Sequence, residues 1–379
     1  MSRVKFGDVV KDVKINIDRL NNPYEYYVAG DHMDSEDLTI HRKGCFTTDD
    51  VGPAFIRVFK PGQILYGSRR TYLKKIAVAD FEGVCANTTF VFETKDPHAF
   101  EQRLLPFIML SKDFTTWSIA KSKGSTNPYV LFSDLADFEF ELPPLEEQKV
   151  LVDKLWAAYR LKEAYKKLLV ATDEMVKSQF IEMFENVESY CKLEDLISDT
   201  FPGEWGSEPI SENAIKVIRT TNFTNEGYLD LTDVVTRDIE PKKVVRKKLK
   251  QGDTILERSG GTKDNPVGRV VFFDEIGDYL PNNFTQVLRP KESVNPVYLF
   301  YALYNSYNLN KAAMRAMASQ TTGIQNLSMS DFMAKSIVLP SRDEQNKFEQ
   351  IYRQADKSKF ELKQCIENID KVIKSLING

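Results

Sequence analysis

The chain has 379 residues, with 51 Lys and Arg against 55 Asp and Glu, and a formal net charge of -4. This length predicts two or three domains, each able to bury its own core. The charge excludes a protein that holds nucleic acid by bulk attraction alone. Three His and four scattered Cys leave little material for His-based catalysis, and they form neither a disulfide framework nor a zinc site, so we expect no metal.

Membrane and export signals are also missing from the sequence. No apolar run approaches the ~20 residues that a membrane span needs. The first residues lack the basic-then-apolar order of a signal peptide. We therefore expect a soluble, cytoplasmic protein with no membrane partner.

Strand and helix signals alternate along the chain, and Gly and Pro turns separate them. Short strands are predicted at residues 55–59, 75–79, 269–273 and 335–339, where β-branched and aromatic residues cluster. Helices are predicted at residues 99–113, although Pro106 weakens that prediction, and at 297–317. The fold class is therefore α+β with a mostly antiparallel sheet.

The chain contains an internal repeat. Residues 142–148 (LPPLEEQ) recur 197 positions later as residues 339–345 (LPSRDEQ), and further short matches occur upstream in the same order in both halves. Each of the two motifs opens a long segment without Gly or Pro, which predicts a long helix. The predicted organisation is a first domain (1–145), a first helix (146–189), a second domain (190–340) and a second helix (341–379).

The two long helices carry apolar residues at alternating steps of three and four, the pattern of a coiled-coil seam. We expect them to pair antiparallel, with the polar residues Thr172, Gln179 and Ser358 fixing the alignment. The apolar seam is predicted at Leu151, Ala158, Leu161, Tyr165, Leu168, Met175, Phe348, Ile351, Leu362, Ile369, Val372 and Leu376.

These motifs resemble one known family. Residues 62–66 (GQILY) with 70–74 (RTYLK), 83–88 (GVCANT) and the LPPLEEQ helix entry are similar to the specificity subunit of type I restriction-modification systems. In the second half the matching segments are residues 252–253, 258–262, 321–325 and 339–345. The sequence departs from the family pattern at Thr71, where Pro is frequent, and at Ser341-Arg342, which replace Pro-Leu.

The resemblance implies a non-catalytic subunit that reads double-stranded DNA with two target-recognition domains. It implies that two modification (methyltransferase) subunits dock on the long helices and that restriction subunits join outside them. S-adenosylmethionine, ATP and magnesium would then belong to those partner subunits, and this chain would hold no cofactor.

Arg and Lys side chains recognise guanine in the major groove, and Asn and Gln side chains recognise adenine. Loops that carry such side chains are therefore the candidates for reading bases. The candidates of the first domain are Ser68, Arg69, Arg70, Tyr72, Lys74, Lys121, Lys123, Ser125 and Thr126. Those of the second domain are Arg219, Thr221, Asn222, Arg258, Ser259, Thr262, Lys263, Gln320, Thr321, Thr322 and Gln325. Phosphate contacts are predicted for Lys242, Lys243, Lys247 and Lys248 in the densest basic run.

The length of the helices bears on the target. A helix from residue 145 to about 185 would be roughly 60 Å long, which exceeds the roughly 35 Å between recognition modules one DNA turn apart. We therefore expect a bipartite target in which two unrelated half-sequences flank a fixed, unread spacer. Neither predicted domain has a positive net charge, so the chain by itself should bind DNA weakly.

An enzyme and a protein-binding scaffold are the alternatives to a DNA-recognition subunit. An enzyme is disfavoured because Asn127-Pro128-Tyr129 lacks one Pro of an adenine-methyltransferase motif, and Gly260-Gly261 lacks a nucleotide-binding context. A non-catalytic coiled-coil scaffold with two protein-binding domains stays open as the alternative.

Overall fold

The structure is a computed structural model that describes residues 2–210, 214–321 and 323–378, without the side chains of residues 320 and 321. It divides into two compact units. Unit 1 comprises Met1–Lys167 with Leu362–Gly379, and unit 2 comprises Leu168–Glu361. Each unit therefore contains one globular part and a segment of each long helix.

Unit 1 has three groups of strands and four short helices before the first long helix. The strands are β1 (Ser2–Lys5), β2 (Val10–Asp12), β3 (Tyr26–Val28), β4 (Gly44–Cys45), β5 (Phe55–Phe59), β6 (Ile64–Gly67), β7 (Ile76–Val78), β8 (Gly83–Ala86), β9 (Thr89–Thr94) and β10 (Glu139–Leu142). The helices are α1 (Phe6–Val9), α2 (Leu105–Leu110), α3 (Lys112–Ala120), α4 (Phe132–Ala136) and α5 (Leu145–Phe184). Four-stranded sheets run in the orders β2-β9-β6-β7 and β4-β3-β8-β5, and β1 pairs with β10.

Unit 2 is built in a similar way. Its strands are β11 (Tyr190–Lys192), β12 (Ile197–Pro202), β13 (Ile215–Ile218), β14 (Val235–Arg237), β15 (Asp253–Glu257), β16 (Ser259–Gly260), β17 (Val270–Phe273), β18 (Tyr279–Pro281), β19 (Thr285–Pro290), β20 (Ala318–Thr321), β21 (Ile324–Leu327) and β22 (Ser336–Val338). The helices are α6 (Leu193–Leu196), α7 (Pro241–Lys247), α8 (Pro296–Leu309), α9 (Lys311–Ala316), α10 (Met329–Met333) and the second long helix α11 (Arg342–Asn378). The sheets run β12-β19-β15-β17, β14-β13-β18 and β16-β21-β20, and β11 pairs with β22.

The predicted mixture of helix and sheet is confirmed. Within the described residues the named strand pairs are antiparallel except β3–β8 and β13–β18. The two shorter predicted helices are each broken once. Ser111 caps α3 by accepting the Phe114 N–H, and Asn310 caps α9 by accepting the Ala313 N–H. Such side chains satisfy the unpaired N–H groups of a helix start, so each break begins a new helix.

Each unit has its own core, to which the long helices contribute. In unit 1, Val152, Leu155 and Tyr159 of α5 pack in one cluster with Ile373 of α11. In unit 2, Val176, Phe180 and Phe184 pack with Phe348, Tyr352 and Ala355. The rings of Phe180 and Phe348 lie 5.0 Å apart. Ion pairs join Lys162 to Asp370 at 2.6 Å in unit 1 and Lys359 to Asp173 at 2.8 Å in unit 2.

The predicted seam is wrong at four positions. Leu161, Leu168, Met175 and Val372 are 46%, 50%, 42% and 52% exposed. Leu151, Ala158, Ile369 and Leu376 lie partly buried against the core of unit 1, Phe348 is fully buried, and Tyr165, Ile351 and Leu362 are partly buried.

The buried rows include charged residues, which explains the error. The row Val152, Leu155, Tyr159 continues through Lys162 and Lys166, and the row on α11 includes Lys359. Lysine is polar, so a search for apolar residues does not recognise these rows as buried. It selects the neighbouring row of apolar residues on each helix instead. The polar residues predicted to fix the alignment do not do so: Ser358 is exposed, Thr172 donates to the Leu168 carbonyl, and Gln179 donates to Glu182 on the same helix.

None of the helices in the described part of the chain is both long enough and apolar enough to cross a membrane.

Candidate nucleic-acid interface

Two loops of unit 1 that are far apart in the sequence lie side by side and are joined by hydrogen bonds. The Val130 N–H donates to the Ser68 carbonyl at 3.0 Å, and the Arg70 N–H donates to the Pro128 carbonyl at 2.6 Å. The Thr71 and Ser122 hydroxyl oxygens lie 3.0 Å apart. The loops predicted to read DNA, at residues 67–72 and 121–127, therefore form one surface together with the residues that follow them. The Thr71 hydroxyl makes a contact there that Pro could not.

The turn in this surface has an unusual backbone. Arg70 and Lys74 have φ values of 51° and 48° and flank a 3-10 turn at Thr71–Leu73. Side chains with a Cβ rarely adopt this left-handed conformation, which costs roughly 1–2 kcal/mol per residue. The turn is held by the Leu73 N–H, which donates to the Arg70 carbonyl at 2.8 Å, and by the Lys74 N–H, which donates to the Thr71 carbonyl at 2.9 Å.

Several predicted readers of unit 1 are exposed on this surface. They are Arg69, Arg70, Tyr72, Lys121, Ser125 and Thr126. In the part of the chain that the structure describes, neither Arg69 nor Arg70 makes an ion pair through its side chain. Two guanidinium groups are thus available for bases or phosphates.

Three predicted readers of unit 1 instead hold the surface together. Ser68 is 6% exposed and donates its hydroxyl to the Thr88 carbonyl at 2.5 Å. Lys74 forms an ion pair of 2.5 Å with Glu36, and Lys123 forms one of 3.0 Å with Asp134. A side chain that is already bonded in this way would have to leave its partner to contact DNA.

A comparable pair of segments meets in unit 2. The Leu327 N–H donates to the Arg258 carbonyl at 2.8 Å, and β16 pairs with β21. Gln325 accepts the Val267 N–H at 3.3 Å and donates to the Thr262 carbonyl at 3.4 Å. The loop after β15 and the β20–β21 hairpin therefore form one surface, as the two loops of unit 1 do.

The predicted readers of this second surface differ in availability. Arg258 is half-buried, Thr262 and Lys263 are exposed, and Ser259 is 6% exposed and donates to the Asn326 side chain. Thr322 lies outside the described residues, as do the side chains of Gln320 and Thr321.

The loop at Arg219 has a structural role in unit 2. Asn222 is 3% exposed, and its amide accepts the Arg219 N–H and donates to the carbonyls of Asp230 and Asp233. Arg219 forms an ion pair of 2.9 Å with Asp233, while Thr221 is exposed. Asn222 therefore shapes the turn and is not available to read a base.

Acidic residues neutralise most of the basic run around α7. Lys243 and Lys247 both contact Glu204, at 3.4 and 2.6 Å, and Lys248 pairs with Asp278. The hydrogen bond from Lys247 lowers the pKa of Glu204. Lys242 is exposed and makes no ion pair with any described residue. Of the four lysines predicted to contact phosphate, Lys242 is thus the one whose charge is not neutralised by a described residue.

Two buried glutamines with a structural role were not among the residues predicted from the sequence. Gln148 is 0% exposed, accepts the Glu101 N–H at 2.9 Å and donates to the carbonyls of Ala99 and Pro143. Gln345 is 1% exposed, accepts the Asn295 N–H at 2.8 Å and donates to the Pro340 carbonyl at 2.9 Å. The sequence feature that could have indicated them is that both copies of the repeated motif end in Gln.

A polar cluster in unit 1 was missed as well, because the acids near residue 37 resemble an exposed loop. The Tyr159 hydroxyl donates to Asp37 at 2.5 Å, and the Lys166 ammonium donates to it at 3.0 Å. Burial opposes ionisation of Asp37, but these hydrogen bonds outweigh it and lower the pKa of Asp37 to about 2. Burial, together with the Asp37 carboxylate, raises the pKa of Tyr159.

The same cluster has the only arrangement among the described residues that could hold a metal ion: one ligand atom each from Asp37, His41 and Glu163 within 4.8 Å of one another. Lys166 contacts both carboxylates, at 3.0 and 2.8 Å. The ammonium group thus supplies the positive charge that the two carboxylates require.

Comparisons with known proteins agree with this architecture. The sequence model of the family described as "Type I restriction modification DNA specificity domain" matches residues 19–169 and 201–371. A type I restriction enzyme EcoDI specificity subunit from Escherichia coli is 28% identical over 142 residues, which are 36% of this chain and 31% of that protein. The match thus spans about a third of that relative.

Two solved structures have a similar fold. The type I restriction-modification S subunit from M. genitalium has a TM-score of 0.61 at 14% identity, covering 99% of this chain and 94% of that one. A chain from a study of complex assembly and conformational transition in a type I R-M system has a TM-score of 0.57 at 18% identity, covering 99% and 96%.

The chain thus has two α+β units, and in each of them a backbone hydrogen bond joins two polar segments. The family match covers most of the chain, and the chain belongs to the type I restriction-modification DNA specificity family. Members of this family are the specificity components of restriction-modification systems and not their catalytic subunits.

Proposed function

We propose that the chain reads a bipartite double-stranded DNA target, with one half-sequence read by each unit across a fixed spacer. One observation carries this proposal. The same backbone hydrogen bond joins two polar segments in each unit, from Val130 to Ser68 in unit 1 and from Leu327 to Arg258 in unit 2. Paired reading surfaces with different side chains suit two unrelated half-sequences.

The proposal includes a two-fold internal repeat. The Phe6 N–H donates to the Phe138 carbonyl at 2.7 Å, and the Leu193 N–H donates to the Lys335 carbonyl at 2.8 Å. The pair β1–β10 has its counterpart in β11–β22. These matching contacts support two copies of one module.

We also propose that α5 and α11 pair as an antiparallel coiled coil. Within unit 2, Asp173 contacts Lys359 and the later residue Phe180 contacts the earlier residue Phe348. Residue numbers therefore rise along one helix as they fall along the other, which supports this orientation.

Two methyltransferase subunits would dock on the long helices. In the part of α5 that belongs to unit 2, Leu168 and Met175 lie two helical turns apart and are 50% and 42% exposed. An exposed apolar row of this kind is suited to a partner helix. Restriction subunits would join outside, and S-adenosylmethionine, ATP and magnesium would be held by the partner subunits.

Mapping of the methylated sequence by a complex reconstituted from this chain and its methyltransferase subunits tests the proposal. The wild-type complex should methylate a two-part motif. Arg70→Ala should relax one half and Lys263→Ala the other, while Arg19→Ala, which removes an exposed arginine outside both surfaces, should change neither. A complex without a bipartite motif would favour the protein-binding scaffold instead.

A further inference from the structure

All the left-handed residues other than glycine in the described chain lie in one part of unit 1. They are Glu36, Arg70 and Lys74, with φ values of 55°, 51° and 48°. Arg70 and Lys74 flank the turn at residues 70–74, which is called the reading turn below. Glu36 lies in a loop more than thirty positions earlier in the chain. Residues held in such conformations persist where surrounding contacts fix them, and they concentrate at functional sites.

Glu36 and Lys74 bond to each other twice. The Glu36 N–H donates to the Lys74 carbonyl at 3.1 Å, and the Lys74 ammonium donates to the Glu36 carboxylate at 2.5 Å. The hydrogen bond from Lys74 lowers the pKa of Glu36. The end of the reading turn is thus fixed to the loop through both main chain and side chain.

The loop is in turn anchored to the long helix by the residue that follows Glu36. Asp37 is 6% exposed and accepts hydrogen bonds from Tyr159 and Lys166 of α5. The Leu38 N–H donates to the Tyr159 hydroxyl at 2.8 Å. Glu36 therefore stands between a rigid buried cluster and a strained turn.

The reading surface of unit 2 is built differently. The corresponding loop takes its left-handed positions from Gly260 and Gly261, with φ values of 115° and 65°. Glycine adopts these conformations without a steric penalty, so no ion pair is needed to impose them. Unit 2 has a carboxylate of its own at this turn: Glu257 accepts the Gly261 N–H at 3.3 Å and forms an ion pair of 2.6 Å with Arg269. Substitution of Glu36 should consequently affect the turn of unit 1 alone.

We propose that Glu36 is a positioning residue for sequence recognition, which holds the turn at Arg70–Lys74 in the conformation that presents Arg69, Arg70 and Tyr72 to the first half-sequence. This inference rests on the proposed function and deepens it. Glu36 need not touch DNA itself, because it acts through Lys74.

The experiment measures methylation of a library of targets by the reconstituted complex with Glu36→Gln. Loss of one well-oriented bidentate base contact should reduce discrimination at the first half-sequence roughly tenfold, and discrimination at the second half should stay unchanged. The matched control is Glu93→Gln, which removes another lysine-paired carboxylate of unit 1, 2.9 Å from Lys11. It should leave both halves unchanged.

Exchanging the charges of the Glu36–Lys74 ion pair tests whether the pair itself positions the turn. Glu36→Lys combined with Lys74→Glu keeps the attraction and should restore most of the discrimination. Lys74→Gly removes the ammonium but eases the backbone strain, so it should keep the thermal stability of the chain while relaxing the first half-sequence.

The outcomes distinguish this inference from the proposed function. A wild-type complex that methylates no bipartite motif contradicts the function. A wild-type complex that does, beside a Glu36→Gln complex with unchanged discrimination at both halves, overturns the role of Glu36. Equal relaxation of both halves, or failure of the reversed pair to restore the first, would overturn it too.

Discussion

Lys162 of α5 and Asp370 of α11 form an ion pair of 2.6 Å inside unit 1, with the lysine side chain only 14% exposed. Lys359 and Asp173 repeat this arrangement in unit 2, with the charges exchanged between the two helices. A shift of either helix would separate these charges from their partners. Because an unpaired, poorly solvated charge is costly, each pair favours one alignment of the two helix segments within its own unit.

The first prediction concerns Lys359. Its side chain is 10% exposed and bonds both Asp173 and the Tyr228 hydroxyl. Lys359→Met should lower the free energy of unfolding by about 1–2 kcal/mol, a moderate loss because the half-exposed Asp173 can be rehydrated. Urea unfolding of the full chain measures it. Lys357→Met, at a 79% exposed site, is the control and should stay near the wild type. Equal midpoints for both variants would show that the pair contributes nothing.

The second prediction concerns the glutamines that close the repeated motif. Gln148→Ala leaves the Glu101 N–H and the carbonyls of Ala99 and Pro143 without their buried partner. We expect a loss of about 1–3 kcal/mol in the free energy of unfolding, and a similar loss for Gln345→Ala. Gln179→Ala, which removes only a contact within one helix, is the control in thermal unfolding. Wild-type stability of both variants would contradict this structural role.

The third prediction concerns the acid stability of unit 1. Since the folded-state pKa of Asp37 is lowered to about 2, the ionised carboxylate stabilises the fold above about pH 4, and this contribution disappears as the pH falls through about 2. Relative to wild type, Asp37→Asn should lose about 2 kcal/mol at pH 7 and progressively less below pH 4. Denaturant unfolding at a series of pH values tests this. A stability difference that does not vary with pH would refute the assignment.

The fourth prediction separates exposed from neutralised lysines. Lys242→Ala should weaken DNA binding of the complex at all sequences and reduce the slope of log K against log salt by about 1. Lys247→Ala should leave that slope unchanged, because its charge is already paired with Glu204 at 2.6 Å. Fluorescence anisotropy over a range of salt concentrations measures both. If Lys242→Ala keeps the wild-type slope, Lys242 makes no phosphate contact.

The fifth prediction tests the docking row on α5. Leu168→Glu and Met175→Glu place a charge in the proposed apolar contact and should weaken association with the methyltransferase subunits at least about tenfold. Val170 is 65% exposed but lies on another face of the same helix, so Val170→Glu is the matched control. Analytical ultracentrifugation of the mixed subunits provides the measurement. If Leu168→Glu and Met175→Glu both assemble as the wild type does, the methyltransferase subunits do not dock on this part of α5.

Features that repeat in the chain could be predicted from the sequence. The recurrence of the LPPLEEQ motif showed two long helices, and they are found at Leu145–Phe184 and Arg342–Asn378. The clustering of β-branched and aromatic residues between turn residues also predicted several strands, among them Phe55–Phe59. These features depend on local backbone preference and on hydrophobic pattern, which neighbouring residues largely determine.

Composition indicated the polar loops that lie side by side in each unit, but it could not indicate the roles of their individual side chains. Arg70 and Lys74 are neighbours in one turn, yet Arg70 is exposed without an ion pair to any described residue whereas Lys74 is bonded to Glu36. The difference depends on a residue far away in the chain. No local pattern contains that information.

The sequence by itself determined the mixed fold, the long helices and the family. Only the tertiary structure decided which helix face is buried, which cations are neutralised and which residues hold the turns. The physical reason is that a charged residue enters a buried row when a distant partner compensates its desolvation, as Asp370 does for Lys162. Such compensation depends on distances in the folded chain, and these are not encoded in any short segment of it.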